Sequence, residues 1–315
     1  MFEVILYKSI DEIYDVSELV VPVDFTDNIN QAGVVTFGML RDWVLPAEGN
    51  GIVIIHDYTT YFSGFIFKTG HSQSQEIKVT AYDRMRYLKT NDTYVFKDKT
   101  AGEIVKHIAN DFGLPTGIIE DTKYPLGTMI FDNKGLLDMV ADCVTKTLTA
   151  TKKLYFLKDN AGKLEFRNIL SCVSDLQIDP ESLLYGYSYE RDIDSDTYNQ
   201  IKLVRDNKST GKREIYMAKD SNSIKRWGLL QHYEKVDDDM NPEQIKEKAD
   251  ALLYLKNRVK QTLNLDVLGE KTIRAGNMIY VSIPEVGVSK YLLCTCAKHR
   301  FTNTAHTVKV DLKLV

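Results

Sequence analysis

Cys294-Thr-Cys-Ala-Lys-His299 packs two of the chain's four cysteines beside a histidine, with His306 close behind. Its reading decides whether the C-terminal part is a metal-stapled module or ordinary β structure. In a strand running from Lys290 to Phe301, alternation sends Leu292, Cys294, Cys296, Lys298 and Arg300 to one side. Leu293, Thr295, Ala297 and His299 go to the other, so His299 turns away from both thiols. The two cysteines also stand roughly 6.6 Å apart along a strand, whereas tetrahedral zinc wants its sulfurs within about 4 Å. No Gly or Pro interrupts the run. The stretch therefore reads as strand, with neither a metal nor a disulfide expected, and Cys143, Cys172, Cys294 and Cys296 are expected as free thiols.

Around it, three strands are predicted at about 277–283, 288–301 and 306–314. The last alternates Val308, Val310, Leu312 and Leu314 with Thr307, Lys309, Asp311 and Lys313. A similar plan occurs near the N-terminus. Gly49-Asn50 leads into Ile52-Val-Ile, a strand, a turn and Ile77-Lys-Val-Thr-Ala81. Gly276-Asn277 leads into Ile279-Tyr-Val, a strand, a turn and Val308-Lys-Val-Asp-Leu312. Few identities survive, so the pattern is a weak internal repeat.

Three segments follow. Residues 1–97 read as strands separated by polar turns, including Ile52–Ile55, Tyr61–Phe67 and Glu76–Tyr82. Residues 98–184 read as a small α+β unit. A Thr100/Glu103 capping box opens a helix with Ile104, Val105, Ile108 and Ala109 on one face, and Gly113 closes it. A second helix at 134–148 carries Leu136, Val140, Cys143 and Val144, and a hairpin follows from Lys153 to Phe166. Residues 185–315 return to strands, interrupted by one helix at 241–259 capped by Asn241 with Pro242 in its first turn. The expected fold is mainly β with an α+β insert.

The 315 residues are 43% hydrophobic and 27% charged, with a net charge of −4, the balance of a soluble globular protein. No signal peptide opens the chain and no run approaches the ~20 apolar residues of a membrane helix. Synthesis in the cytoplasm is expected. Scattered Lys and Arg give no footprint for nucleic acid.

Each candidate for chemistry has a plainer reading. Cys143 with His107 imitates a thiol–imidazole pair, but Cys143 lies on the apolar stripe of its helix. Asp192-Ile-Asp-Ser-Asp196 imitates a calcium loop, yet Thr197 stands where Gly is required and Leu203 where the bidentate Glu belongs. Asp237-Asp-Asp239 suits a helix dipole. Tyr82, Asp83, Arg84 and Arg86 cluster at a strand exit, where an Asp beside an Arg reads as a structural ion pair. No phosphate loop, nucleophile elbow or HExxH motif is present.

Val79-Thr-Ala-Tyr-Asp-Arg-Met-Arg-Tyr-Leu88 followed by Lys99-Thr-Ala-Gly-Glu-Ile-Val-Lys-His-Ile-Ala-Asn-Asp-Phe-Gly-Leu114 resembles the XkdQ-like baseplate hub proteins of PBSX-type prophages, contractile phage tails and tailocins. The resemblance continues through Gly135–Met139, Lys153–Phe156, Tyr198–Ile201 and Ala275–Met278. It implies a homotrimeric hub with two tail-tube-like β-barrels per subunit, at 1–97 and 185–315, separated by the α+β domain at 98–184. It also implies, as partners, the tail tube, the central spike and other baseplate proteins, in a virion or phage-tail-like particle. No cofactor, catalytic residue or metal ligand is expected, and the strand that ends at Val315 leaves no fused lysozyme domain expected. The alternatives are a tail-tip cell-wall hydrolase and, given 18 tyrosines, a carbohydrate-binding tip protein.

Overall fold

The strand Val288–Phe301 contains the Cys294–His299 stretch and joins the two ends of the chain. One of its edges pairs with His306–Lys313. The other pairs with Met278–Ile283 up to Leu293 and with Val20–Asn28 from Cys296 onward. A computed structural model gives this arrangement and describes residues 2–73, 75–207, 211–238 and 240–314.

Regular alternation does not survive at Thr295. The register against His306–Lys313 slips between Cys294 and Cys296, which leaves Thr295 as the extra residue of a β-bulge. A bulge re-aims the side chains beyond it. Cys294 is fully buried, Cys296 only half-buried, and burial then resumes at Ala297, His299 and Phe301. The expectation that both cysteines share a face opposite His299 is thus corrected: Cys294 and His299 are both interior.

The same construction appears in the N-terminal half. Thr59–His71 runs between Gly51–His56 and Glu76–Tyr82, and its register against the latter slips between Ile66 and Lys68. Just before the slip, Gly49 donates its N–H to the Ile66 carbonyl, and Ile66 donates to the Asn50 carbonyl, both at 2.8 Å. In the C-terminal half Gly276 donates to the Cys294 carbonyl at 2.8 Å, and Cys294 donates to the Asn277 carbonyl at 2.9 Å. Gly49 and Gly276 both hold left-handed backbone, φ 86° and 92°, which glycine adopts without a Cβ penalty. The weak repeat in the sequence is therefore a repeated three-strand motif with a shared turn and a shared bulge.

These strands belong to one 13-stranded sheet. From one end its path runs through Leu184–Asp192, Lys260–Leu268, His306–Lys313, Val288–Phe301, Val20–Asn28, Val34–Leu40, Glu76–Tyr82, Thr59–His71, Gly51–His56 and Phe2–Tyr7 to Ile13–Asp15. Met278–Ile283 and Val173–Ile178 branch from it, the latter as a parallel strand. Alternation builds the interior: Val35, Phe37 and Met39 are buried along Val34–Leu40, and Ile77, Val79 and Ala81 along Glu76–Tyr82. The protein is mainly β, as the sequence indicates.

The two helices and the hairpin expected within 98–184 are present. Thr100 and Glu103 close a capping box on the helix Ala101–Asp111, and Leu136–Thr151 is the second helix. Their apolar stripes pack with Met85, Phe131, Tyr155 and Phe166 in one core. The hairpin Tyr155–Asn160 to Lys163–Asn168 turns through Ala161 and Gly162, both at positive φ, as a two-residue hairpin turn requires.

Two compact units result. One comprises Met1–Leu148, Lys153–Ser188 and Leu263–Val315; the other comprises Thr149–Lys152 and Tyr189–Thr262. In the second, strands Gln200–Asn207, Lys212–Lys219 and Gln231–Lys235 form a sheet, and the helix Pro242–Lys256 covers one face through Ile245, Ala249 and Leu252. The short helix Ser221–Trp227, capped by Asp220, has no apolar periodicity that announces it.

Candidate functional site

Within the larger unit, residues far apart in sequence converge on a buried set of charges beside the Gly276–Asn277 turn. Arg274 donates Nε–H to Asp27 Oδ2 at 2.6 Å and Nη2–H to the Tyr61 carbonyl at 3.2 Å. Its guanidinium lies 5.6 Å from the centroids of the Phe25 and Tyr61 rings. The same Asp27 oxygen accepts the Ala275 N–H at 3.1 Å, and the Ala275 carbonyl accepts from Lys158 Nζ at 3.1 Å. Asp27 comes from the N-terminal strands, Lys158 from the insert's hairpin and Arg274 from the C-terminal segment. Burial pushes the Lys158 ammonium down, against the pull of Asp27.

The insert is pinned to the first strands through a second pair of carboxylates. Asp83 accepts N–H groups from Gly33 at 2.7 Å and Met85 at 3.0 Å, capping the 3₁₀ turn Arg84–Lys89. Asp159 accepts from Gly162 at 2.6 Å and Arg84 at 3.3 Å. Burial raises the Asp83 carboxyl well above the usual range, with Asp159 adding to the rise, and burial lifts Asp159 to about 6.

Next to Arg274 lies a histidine–aromatic cluster. His299 Nδ1 and His306 Nε2 are 3.0 Å apart, one donating and the other accepting. Tyr61, Phe25 and Phe301 stack on or abut His299, and His56 lies edge-on to His306. Burial, then the Arg274 charge and His306, holds His299 well below the usual imidazole range. Burial, then His56, takes His306 to about 4. Both rings are neutral at neutral pH, and His299 Nε2 is buried without a hydrogen-bond partner.

This arrangement is a clamp. Its cations are spent on carboxylates and carbonyls, and its imidazoles are kept uncharged. The open cleft alongside, about 850 Å³, is lined by Lys158, Glu165, Arg167, Cys172, Glu270 and Arg274 among others. Arg167 is held there by Glu120 at 2.8 Å and Glu165 at 3.6 Å. Burial raises the Cys172 thiol away from its reactive form. Among the described residues, no group of three His, Cys, Asp or Glu is placed to hold a metal ion.

The other sequence candidates are dispersed. Cys143 is fully buried and its thiol is pushed up to about 12 by that burial. His107 instead meets Asp111 at 3.4 Å, with Tyr94 and Phe96 edge-on to its ring. Asp192 accepts N–H groups from Asp194 and Ser195, and Asp196 pairs with Lys256 at 2.6 Å, so the calcium-like stretch is a hydrogen-bonded turn. The Asp237 carbonyl accepts from Met240, and Asp239 lies outside the described residues. The expected Asp–Arg ion pair at the strand exit is replaced by backbone bonds. Asp83 takes amide hydrogens, while Arg84 donates to the Ser63 carbonyl and lies over Phe65. Arg86 covers Phe67. Asp27, Lys158, Asp159 and Arg274 were not legible in the sequence, since no local pattern reveals partners 75 to 247 residues away.

The sequence and the fold are matched by known proteins. A family model described as YqbQ-like matches residues 23–313. The phage-like element PBSX protein XkdQ of Bacillus subtilis (strain 168) is 31% identical over 285 residues, covering 90% of this chain and 86% of its own. The 43 kDa tail protein of prophage MuSo2 from Shewanella oneidensis has the same fold at TM-score 0.73, with 11% identity over 98% of both chains. So does E. coli c3393, a type VI secretion component described as structurally similar to the T4 tail proteins gp27 and gp5. Its TM-score is 0.61 at 12% identity, covering 93% of this chain and 73% of its own. The chain belongs to the YqbQ-like family.

Proposed function

We propose that this protein is a structural component of a phage tail or phage-tail-like particle, and that within it the chain forms the baseplate hub. The kinship with the PBSX protein supports the tail assignment. The repeated Gly–Asn turn and bulge carry the hub assignment. A contractile tail's tube is built of hexameric rings and its spike is trimeric, so a joint between them must present six similar surfaces to one side and three to the other. Three copies of a chain with two similar three-strand motifs meet that requirement in a closed ring. The domains around the motifs are two tube-like barrels, within 1–97 and 185–315, and the insert at 98–184 faces other baseplate proteins.

The work is mechanical. The Arg274–Asp27–Lys158 clamp ties the two motifs and the insert of one chain together, so that force passes through a stiff body when the sheath contracts. No reaction is required, and the buried thiols and neutral imidazoles are built for packing. Light scattering on purified protein tests the assembly: a mass of three chains is expected, and a monomer at all attainable concentrations counts against the hub. Zymography on peptidoglycan tests the absence of catalysis, and a cleared band that disappears in Cys143→Ala would establish a hydrolase instead.

A further inference from the structure

Two surfaces of the chain are apolar at the centre and opposite in charge. The first is a groove of about 480 Å³ beside Ile13–Asp15, the terminal strand of the large sheet. Trp43, 77% exposed, stands against Tyr14, and Ile13 and Leu40 are exposed nearby. The groove's walls carry Glu3, Asp15, Glu18 and Asp42, and Lys8 lies over the Tyr14 ring beside it.

The second is the sheet face of the smaller unit opposite its helix. Cross-strand register sets Met217, Lys202 and Tyr233 in one row, and Ile215, Val204 and Lys235 in the next. Ile215, Met217 and Tyr233 are more than half exposed. Lys202, Arg213, Lys219 and Lys235 make the face basic, and its anion Asp206 is bound by both Arg213 and Lys235. Among the described residues, none of Glu18, Asp42, Lys202 and Lys219 has an ion-pair partner in its own chain. An exposed apolar centre with a single-signed rim is the mark of an interaction site.

We propose that the acidic groove receives the basic sheet face of a second copy of this chain. This rests on the ring proposed above and names the contact that closes it. Charge complementarity selects the partner. Head-to-tail association uses each surface once per copy.

Reversing either surface tests the contact, with Glu18→Lys plus Asp42→Lys in the groove and Lys202→Glu plus Lys219→Glu on the sheet. All four positions lie outside the cores, so circular dichroism melts should match the parent. Each double variant is expected to weaken self-association, measured by sedimentation equilibrium, by about tenfold or more. A chain carrying all four reversals should regain it. Wild-type association in both double variants would overturn the contact while leaving a ring held by other surfaces. Failure of the fourfold variant to recover would overturn the pairing of these two surfaces, each then meeting some other part of the second copy. A monomeric parent protein would overturn the contact as well, and with it the ring.

Discussion

Cys294 occupies in the C-terminal motif the place that Ile66 occupies in the N-terminal one: each donates its N–H to an asparagine carbonyl and accepts the N–H of the preceding glycine. In both, the strand then slips by one residue against its neighbour. The position calls for a buried, uncharged side chain at a bulge, which cysteine supplies as a small hydrophobe.

The two glycines differ in their surroundings, and that difference is measurable. At Gly49 an added Cβ meets nothing within 4 Å, so Gly49→Ala should cost only backbone strain, about 1–2 kcal/mol. At Gly276 the same atom falls 2.3 Å from the Phe156 ring. Gly276→Ala should therefore be clearly the more destabilising in urea titrations, and equal losses would contradict the packing described.

The buried clamp predicts an asymmetry between single and paired substitutions. Arg274→Met leaves Asp27 buried and unpaired and should cost about 3–5 kcal/mol. Adding Asp27→Leu should recover much of that loss, because an apolar pair carries no desolvation penalty. Additive losses in the double variant would show that the charges act independently.

Acid stability should reflect two opposed groups. His306, at about 4 in the fold, lies below its unfolded value near 6.5, so its contribution is complete above that value and fades as pH falls toward 4. Asp159, at about 6, lies above its unfolded value near 3.9. It opposes folding at neutral pH and becomes neutral as pH falls, which adds stability over much of the same window. Asp159→Asn should steepen the loss between pH 6 and 4, and His306→Phe should flatten it. An unchanged profile in both variants would sink this assignment.

Two buried or capping positions should act through stability alone. Cys143→Ala should cost roughly 1 kcal/mol or somewhat more as a core truncation, and Thr100→Ala about 1 kcal/mol as a lost cap. Both should leave assembly mass unchanged when measured well below the melting temperature.

What the sequence revealed depended on the range of the interaction. The capping box at Thr100, the cap at Asn241, the helical stripe through Cys143 and the alternation after Thr307 are local, and each appears where its pattern places it. The bulge at Thr295 was invisible because no Gly or Pro marks it; it coincides with a change of partner strand along one edge. The clamp was invisible as well, since Asp27 and Arg274 are 247 residues apart. The Gly–Asn repeat could be seen, but only the hydrogen bonds to Ile66 and Cys294 show that it is structural.

Electron-microscopic reconstruction of the assembled tail particle decides whether the chain is the hub. Three copies are expected on the tail axis between tube and spike, with the Gly49 and Gly276 motifs alternating around the channel as a pseudo-sixfold ring. Density for the chain away from that axis, or a ring in which the two motifs do not alternate, would contradict it.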